Sequence, residues 1–181
     1  MTCAVLVADG VAMLVDAIRL LLFPAMMAFA ASSDLLTMTI SNRVSLILLT
    51  GFFGLALATG MNPAILADHV AAASLVFAAV LFFFAQGWIG GGDAKLATVT
   101  ALWLGFDQLL TYFVYASLFG GVLTFLMLRF RFVPLPAILS GQEWAERLHR
   151  MDAGIPYGIA LAAAALMIYP QTIWMSAPGL W

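Results

Sequence analysis

Asp34 and Asp93 are the residues of this chain whose type and setting best suit chemistry. Each stands where a long apolar run meets a short polar break, and Asp93 follows three consecutive glycines, Gly90-Gly91-Gly92. A carboxylate at the centre of a membrane span costs roughly 2.5–3.5 kcal/mol on insertion scales. Two of them in a chain that is 65% hydrophobic and only 9% charged therefore need a reason. Two carboxylates that share a site do not both ionise readily and hold one proton between them. The ionised member takes a proton from water while the protonated one polarises a carbonyl, which is what hydrolysis of a peptide bond requires. The glycines suit such a site, because without Cβ atoms they are free to take positive φ and to let a backbone or a substrate strand approach closely. Asp93 is expected at or near a helix start, where the helix dipole attracts a carboxylate by about 0.3–1 kcal/mol.

The elements that must position these acids are helices in a membrane. A mean hydropathy of +1.08 excludes a soluble globular domain, whose apolar fraction is usually near half. The length of 181 residues accommodates about six spans of roughly 20 residues and leaves no room for a separate soluble domain. Residues 1–181 are thus read as one all-α, polytopic integral-membrane domain. The apolar runs predict spans at 13–33, 44–59, 66–88, 91–106, 109–130 and 155–174, with Gly60-Met61-Asn62-Pro63 as a tight turn after the second. The N-terminus lacks the basic region and cleavage site of a signal peptide. Residues before Met13 are less regular, as an over-extended start would leave them, and Cys3 and Asp9 are given no function. A single cysteine rules out a disulfide framework and a four-thiolate zinc site.

Basic residues orient the spans. With the N-terminus outside, the inner connections hold Arg43, Lys95, Arg129, Arg131, Arg147 and Arg150, and the outer ones hold only Asp68, Asp107 and His69. Arg19 lies in the first span, three positions after Asp16, where an i,i+3 pair forms. Between Asp34 and Asp93 the chain crosses twice, so both carboxylates are expected at the cytoplasmic boundary. His69 is expected to be a solvated outer-loop residue, and Arg129 and Arg131 to be inner-leaflet anchors. In the connection 129–154, Ser140 and Glu143 read as a capping box opening a helix. Glu143–Arg147 and Glu146–Arg150 are expected as i,i+4 ion pairs, and Trp144, Leu148 and Met151 as an apolar stripe lying on the inner leaflet.

At these residues the chain resembles a family. Gly90-Gly91-Gly92-Asp93-Ala94-Lys95 is similar to the G-x-G-D block of intramembrane aspartyl peptidases, with the x-K that follows it in type IV prepilin peptidases. Ser33-Asp34, followed by Ile40 and Asn42, resembles the first catalytic motif of that family, an aspartate with a short link to I-P-N. The likeness to its short branch, the CpaA-like peptidases of Flp/Tad pilus assembly, is close and covers nearly the whole chain. The resemblance implies Asp34 and Asp93 as the catalytic pair, Gly90 and Gly92 as motif glycines, and Lys95 and Asn42 in support. It implies prepilin or pseudopilin precursors as partners in a bacterial inner membrane, no metal, no organic cofactor and no nucleic acid. The chain departs from the pattern at Ser41, where the family often has proline, and at 36–39, which lack the usual basic residues. Longer members carry an N-terminal methyltransferase region; none is visible here, so no methylation is expected.

Plainer roles exist for each residue taken singly. Asp34 alone would serve as the N-cap of a short interfacial helix, Asn42 as the cap of the second span, and Asp93 with Lys95 as an interfacial anchor. A different class of function uses the same acids as proton or cation carriers in a small transporter or ion pathway.

Overall fold

A computed structural model describes residues 2–136 and 138–175, with side chains at 10, 12–136 and 138–175. The side chains of Cys3 and Asp9 lie outside the described residues. Among the described residues every regular element is helical. Four helices are long and apolar enough to cross a membrane: α1 (Thr2–Thr37) through its portion Ala12–Thr37, α2 (Asn42–Thr59), α3 (Pro63–Ala85) and α4 (Gly91–Phe132). Two short helices, α5 (Glu143–His149) and α6 (Gly158–Ile168), and the 3-10 turns Tyr169–Gln171 and Ile173–Met175 complete the described residues. Large apolar side chains such as Leu57, Leu110 and Phe125 stand outward at 83%, 77% and 60% exposure, a surface that only lipid tolerates.

Local chemistry accounts for most helix ends. α2 starts at Ser41, whose hydroxyl accepts the Arg43 N–H at 3.3 Å, so the residue that stands in place of a proline is the cap, and Asn42 is not. It stops at Gly60, left-handed at φ 66°, where Gly60 N–H bonds Leu57 O and Met61 N–H bonds Ala56 O in a Schellman arrangement. Asn62 then caps α3 through Ala64 N–H, with Pro63 in the first turn. Two ends differ from expectation. α1 runs back to Thr2, well before Met13. The segment predicted at 155–174 is helical for only 11 residues, because Pro156 precedes it and Pro170, lacking an N–H, turns its end into 3-10 structure. At 1.5 Å per residue that helix covers roughly 16 Å, about half the hydrocarbon thickness.

α4 is the element that makes the fold. It is one hydrogen-bonded run broken at Gly105, whose φ of 67° and ψ of −177° only glycine takes without strain. A straight helix would separate Asp93 from Arg131 by roughly 57 Å at 1.5 Å per residue, yet both line one cavity. The arms 91–104 and 106–132 therefore fold back on each other, as the two predicted segments 91–106 and 109–130 require. The break releases the bond that Phe106 N–H would make to Leu102 O. Asp68 Oδ2 takes the Phe106 N–H at 3.2 Å and His69 Nδ1, as the protonated ring nitrogen, donates to Leu102 O at 2.7 Å. Trp174 Nε1 closes the next carbonyl, Trp103 O, at 2.8 Å. His69 is thus 4% exposed inside α3 and not a solvated loop residue, because α3 already begins at Pro63 and turns it toward the hairpin.

Gly105→Ala is expected to destabilise the protein by about 1–3 kcal/mol. Its Cβ would also lie 3.1 Å from the His69 ring. Thermal unfolding in detergent checks this, and an unchanged midpoint would show that the hairpin does not depend on the glycine.

The core packs around Trp103, which is fully buried against Phe23, Phe52 and Trp174 at ring separations of 5.2, 5.9 and 5.1 Å. Tyr169 stacks on Phe23 at 4.6 Å and donates its hydroxyl to Arg19 O, tying the C-terminal segment to α1. The Asp16–Arg19 pair forms as expected, at 3.1 Å.

The connection after α4 differs from its sequence reading. α5 starts after Gln142 without a side-chain cap, so no capping box opens it. Arg147 donates to Leu36 O at 3.0 Å, Arg150 pairs with Asp152 at 2.6 Å, and Glu146 accepts from Gly141 N–H at 2.8 Å. Backbone carbonyls and nearer acids win these arginines from the expected i,i+4 partners. The hydrogen bond from Arg150 also holds the exposed Asp152 carboxyl below its usual range. Ala145 and Leu148 are buried while Met151 is 63% exposed, so the helix docks on α1 and α4 and presents no Trp144-Leu148-Met151 stripe to the leaflet. Arg131 is no surface anchor: it is 8% exposed, with Nε on Leu148 O at 2.8 Å and Nη2 on Gly154 O at 2.6 Å. Arg129 lies over the Phe125 ring at 5.7 Å.

Candidate active site

Asp34 occupies the last turn of α1, so it is not the N-cap of an interfacial helix following it. It is 5% exposed, and its Oδ2 accepts the N–H of Gly158, the first residue of α6, at 2.8 Å. A carboxylate at that point faces the positive end of the α6 dipole. Met38, in the left-handed region at φ 56°, reverses the chain directly after α1 and brings Ile40 back over the site. Left-handed backbone in a residue with a Cβ is uncommon and costs roughly 1–2 kcal/mol.

Asp93 lies in the first turn of α4, and its carboxylate feels the charge of Asp34. The link between the two acids runs through Ile40. A Cβ on Gly92 would meet Ile40 Cβ at 3.2 Å, and a Cβ on Gly158 would meet Ile40 Cδ1 at 2.6 Å and Asp34 Oδ2 at 2.8 Å. Gly92, Ile40, Gly158 and Asp34 therefore form one close-packed knot, with Asp93 beside it. The glycine triplet does its work by close approach alone. None of Gly90–Gly92 has positive φ, and Gly90 is extended at φ −72° and ψ 147°. Gly91 lets Phe84 of α3 come to 3.3 Å of its absent Cβ, and Gly90 does the same for Asp93 Oδ2 at 3.2 Å.

Lys95 and Asn42 also come together. Lys95 Nζ donates to Asn42 Oδ1 at 2.8 Å, joining the first turn of α4 to the first turn of α2. All six residues singled out in the sequence thus gather at one end of the bundle. No group of three or more His, Cys, Asp or Glu side chains with metal-binding placement occurs among the described residues.

Three neighbours escaped the sequence reading. Gly158 is 124 positions from Asp34, and nothing in its local pattern marks it. Arg131 reaches the cavity that Asp93 lines only because α4 folds back. Tyr112, fully buried on the second arm, sits beside Thr100 within the field of Asp93 for the same reason. The cavity measures about 720 Å³ and opens between α3, the second arm of α4 and the approach to α6, with Trp88, Phe113 and Tyr157 among its walls.

The arrangement offers two carboxylates at two helix N-termini, one of them fixed in rotation by a backbone N–H, next to a cavity large enough for a peptide. Among comparisons with known proteins, the model of the type IV leader peptidase family matches residues 21–125, a stretch that contains both aspartates. No curated protein and no solved structure matches the chain.

Proposed function

The chain belongs to the type IV leader peptidase family, and we propose that it is an aspartic endopeptidase that removes the leader of Flp-type prepilins at the cytoplasmic face of a bacterial inner membrane. The observation that carries this reading is the convergence of Asp34 and Asp93, from segments far apart in the chain, on the one knot that Ile40, Gly92 and Gly158 form, with the charge of Asp34 acting on Asp93. In the reaction one acid is ionised and draws a proton from the attacking water, while the other holds the shared proton and polarises the scissile carbonyl. Gly158 fixes one oxygen of Asp34, so that this carboxylate keeps its orientation. Gly90 and Gly92 admit the close contacts around Asp93, and the Lys95–Asn42 bond holds the two helix starts at a constant separation. The substrate is a short hydrophilic leader followed by an apolar helix, because a site at a membrane boundary reaches the junction between them. The N-terminus outside, the role in pilus assembly and protein secretion, and the absence of cofactor chemistry belong to the same proposal.

Purified protein in liposomes, supplied with a Flp-type prepilin precursor, tests it. Cleavage at the leader junction is expected, with a rate that falls on both the acidic and the basic side because the pair works with one proton. Chelators are expected to leave the rate unchanged. Absence of cleavage, or loss on chelation with recovery on adding a divalent metal, would overturn the proposal.

A further inference from the structure

Two crevices flank the first arm of α4, and they lie against different faces of it. One, of about 410 Å³, lies against Gly91, Ala94, Lys95 and Thr98, with Leu46 and Leu81 opposite. The other is the 720 Å³ cavity, which lies against Gly90, Asp93 and Ala97. Residues 93 and 95 are about 200° apart around a helix of 3.6 residues per turn, so of the two crevices the second is the one that opens on a carboxylate.

That second crevice continues away from the site. Val80 and Phe83 of α3 and Phe113 of the second α4 arm also line a further apolar cavity of about 480 Å³, which extends to Leu75 and Phe106. From Leu75 to its end at Ala85, α3 covers roughly 15 Å at 1.5 Å per residue, about half of a hydrocarbon core. The walls along this length are apolar and open sideways: Phe83 is 39% exposed and Leu110 77%. The charged residues of the lining, Asp93 and Arg131, belong to the larger of these two cavities and not to the further one.

We infer, on the peptidase reading above, that the crevice between α3 and the second arm of α4 is the lateral entrance for the substrate. The apolar helix of the precursor slides in from the lipid, its side chains fill the two cavities, and its polar–apolar junction comes to rest at Asp93. A peptide suits the polar end better than a lipid does. Its backbone offers both a donor for Asp93 and an acceptor for Arg131, whereas an anionic headgroup satisfies Arg131 and is repelled by the acid pair. The guanidinium of Arg131 is held in place by the Leu148 and Gly154 carbonyls.

The test uses the full protein in liposomes with a Flp-type prepilin precursor and a photo-crosslinking residue at Leu110 or Leu75, or at Leu46 or Leu81 on the other side. Crosslinks to the precursor from Leu110 and Leu75, and none from Leu46 and Leu81, are expected. Bulk gives a second measurement: Ala79→Trp, which narrows the crevice, should lower kcat/KM about tenfold through KM, while Leu81→Trp should leave it unchanged. If the precursor is cleaved but crosslinks arise from Leu46 and Leu81, or equally from both sides, the entrance is elsewhere and the inference falls while the peptidase reading stands. If the unmodified protein does not cleave the precursor, the peptidase reading falls and takes the entrance with it.

Discussion

Asparagine at Asp34 or at Asp93 is expected to lower precursor cleavage about a thousandfold or more, the loss that follows when one partner of an acid–base pair can no longer exchange a proton. The substitution is informative because it separates chemistry from architecture. Asp34 also closes the N-terminus of α6 through Gly158 N–H, and a buried N–H left without a partner costs about 1–3 kcal/mol. Asparagine keeps an acceptor oxygen in that place, so Asp34→Asn should insert and unfold like the parent while losing activity. Asp34→Ala should lose both activity and stability. The readouts are the mobility shift of the precursor and the thermal midpoint in detergent. Cleavage retained in Asp34→Asn would reduce that residue to a cap for α6, and cleavage retained in Asp93→Asn would remove the pair altogether.

Alanine at Gly158 is expected to cost about a hundredfold in rate. Its methyl group would lie 2.8 Å from Asp34 Oδ2 and 2.6 Å from Ile40 Cδ1, in a knot that Gly92 packs from the other side. Relief requires a shift of Asp34 of about an ångström, and a displacement of that size costs roughly 10²-fold in a positioned reaction. Gly92→Ala should be milder, since Ile40 Cβ at 3.2 Å needs to give only slightly. Gly54→Ala is the control, because nothing lies within 4 Å of its Cβ; it should leave the rate unchanged and favour the helix by up to about 1 kcal/mol. Gly51 is unsuited to that purpose: its Cβ would strike Leu22 of α1. Of the two glycines in α2, then, only Gly51 serves helix packing. Equal rates for Gly158→Ala and Gly54→Ala would show that α6 does not position Asp34.

How much of this is legible without coordinates depends on how far each residue's partner lies along the chain. In lipid every backbone N–H and C=O has to be satisfied locally, so apolar runs and their punctuation translate directly into helices. Gly60 and Asn62-Pro63 accordingly mark their ends, while the cap of the second span is Ser41 and not Asn42, and the break in α4 at Gly105 falls near the end of the run 91–106, just before the gap that separates it from 109–130. Asp34 and Asp93 stand out for a related reason, since an acid beside membrane-length segments is costly enough to be conspicuous in composition alone. The partners of those acids are another matter. Gly158 N–H, the carbonyls of Leu102 and Trp103 freed at Gly105, and those of Leu148 and Gly154 that hold Arg131 are backbone groups with no signature in residue type. His69 and Arg131 therefore read as surface residues in sequence and are buried in the fold. Their burial depends on which orphan backbone groups the hairpin and the last helix present to them, and packing in three dimensions alone decides that.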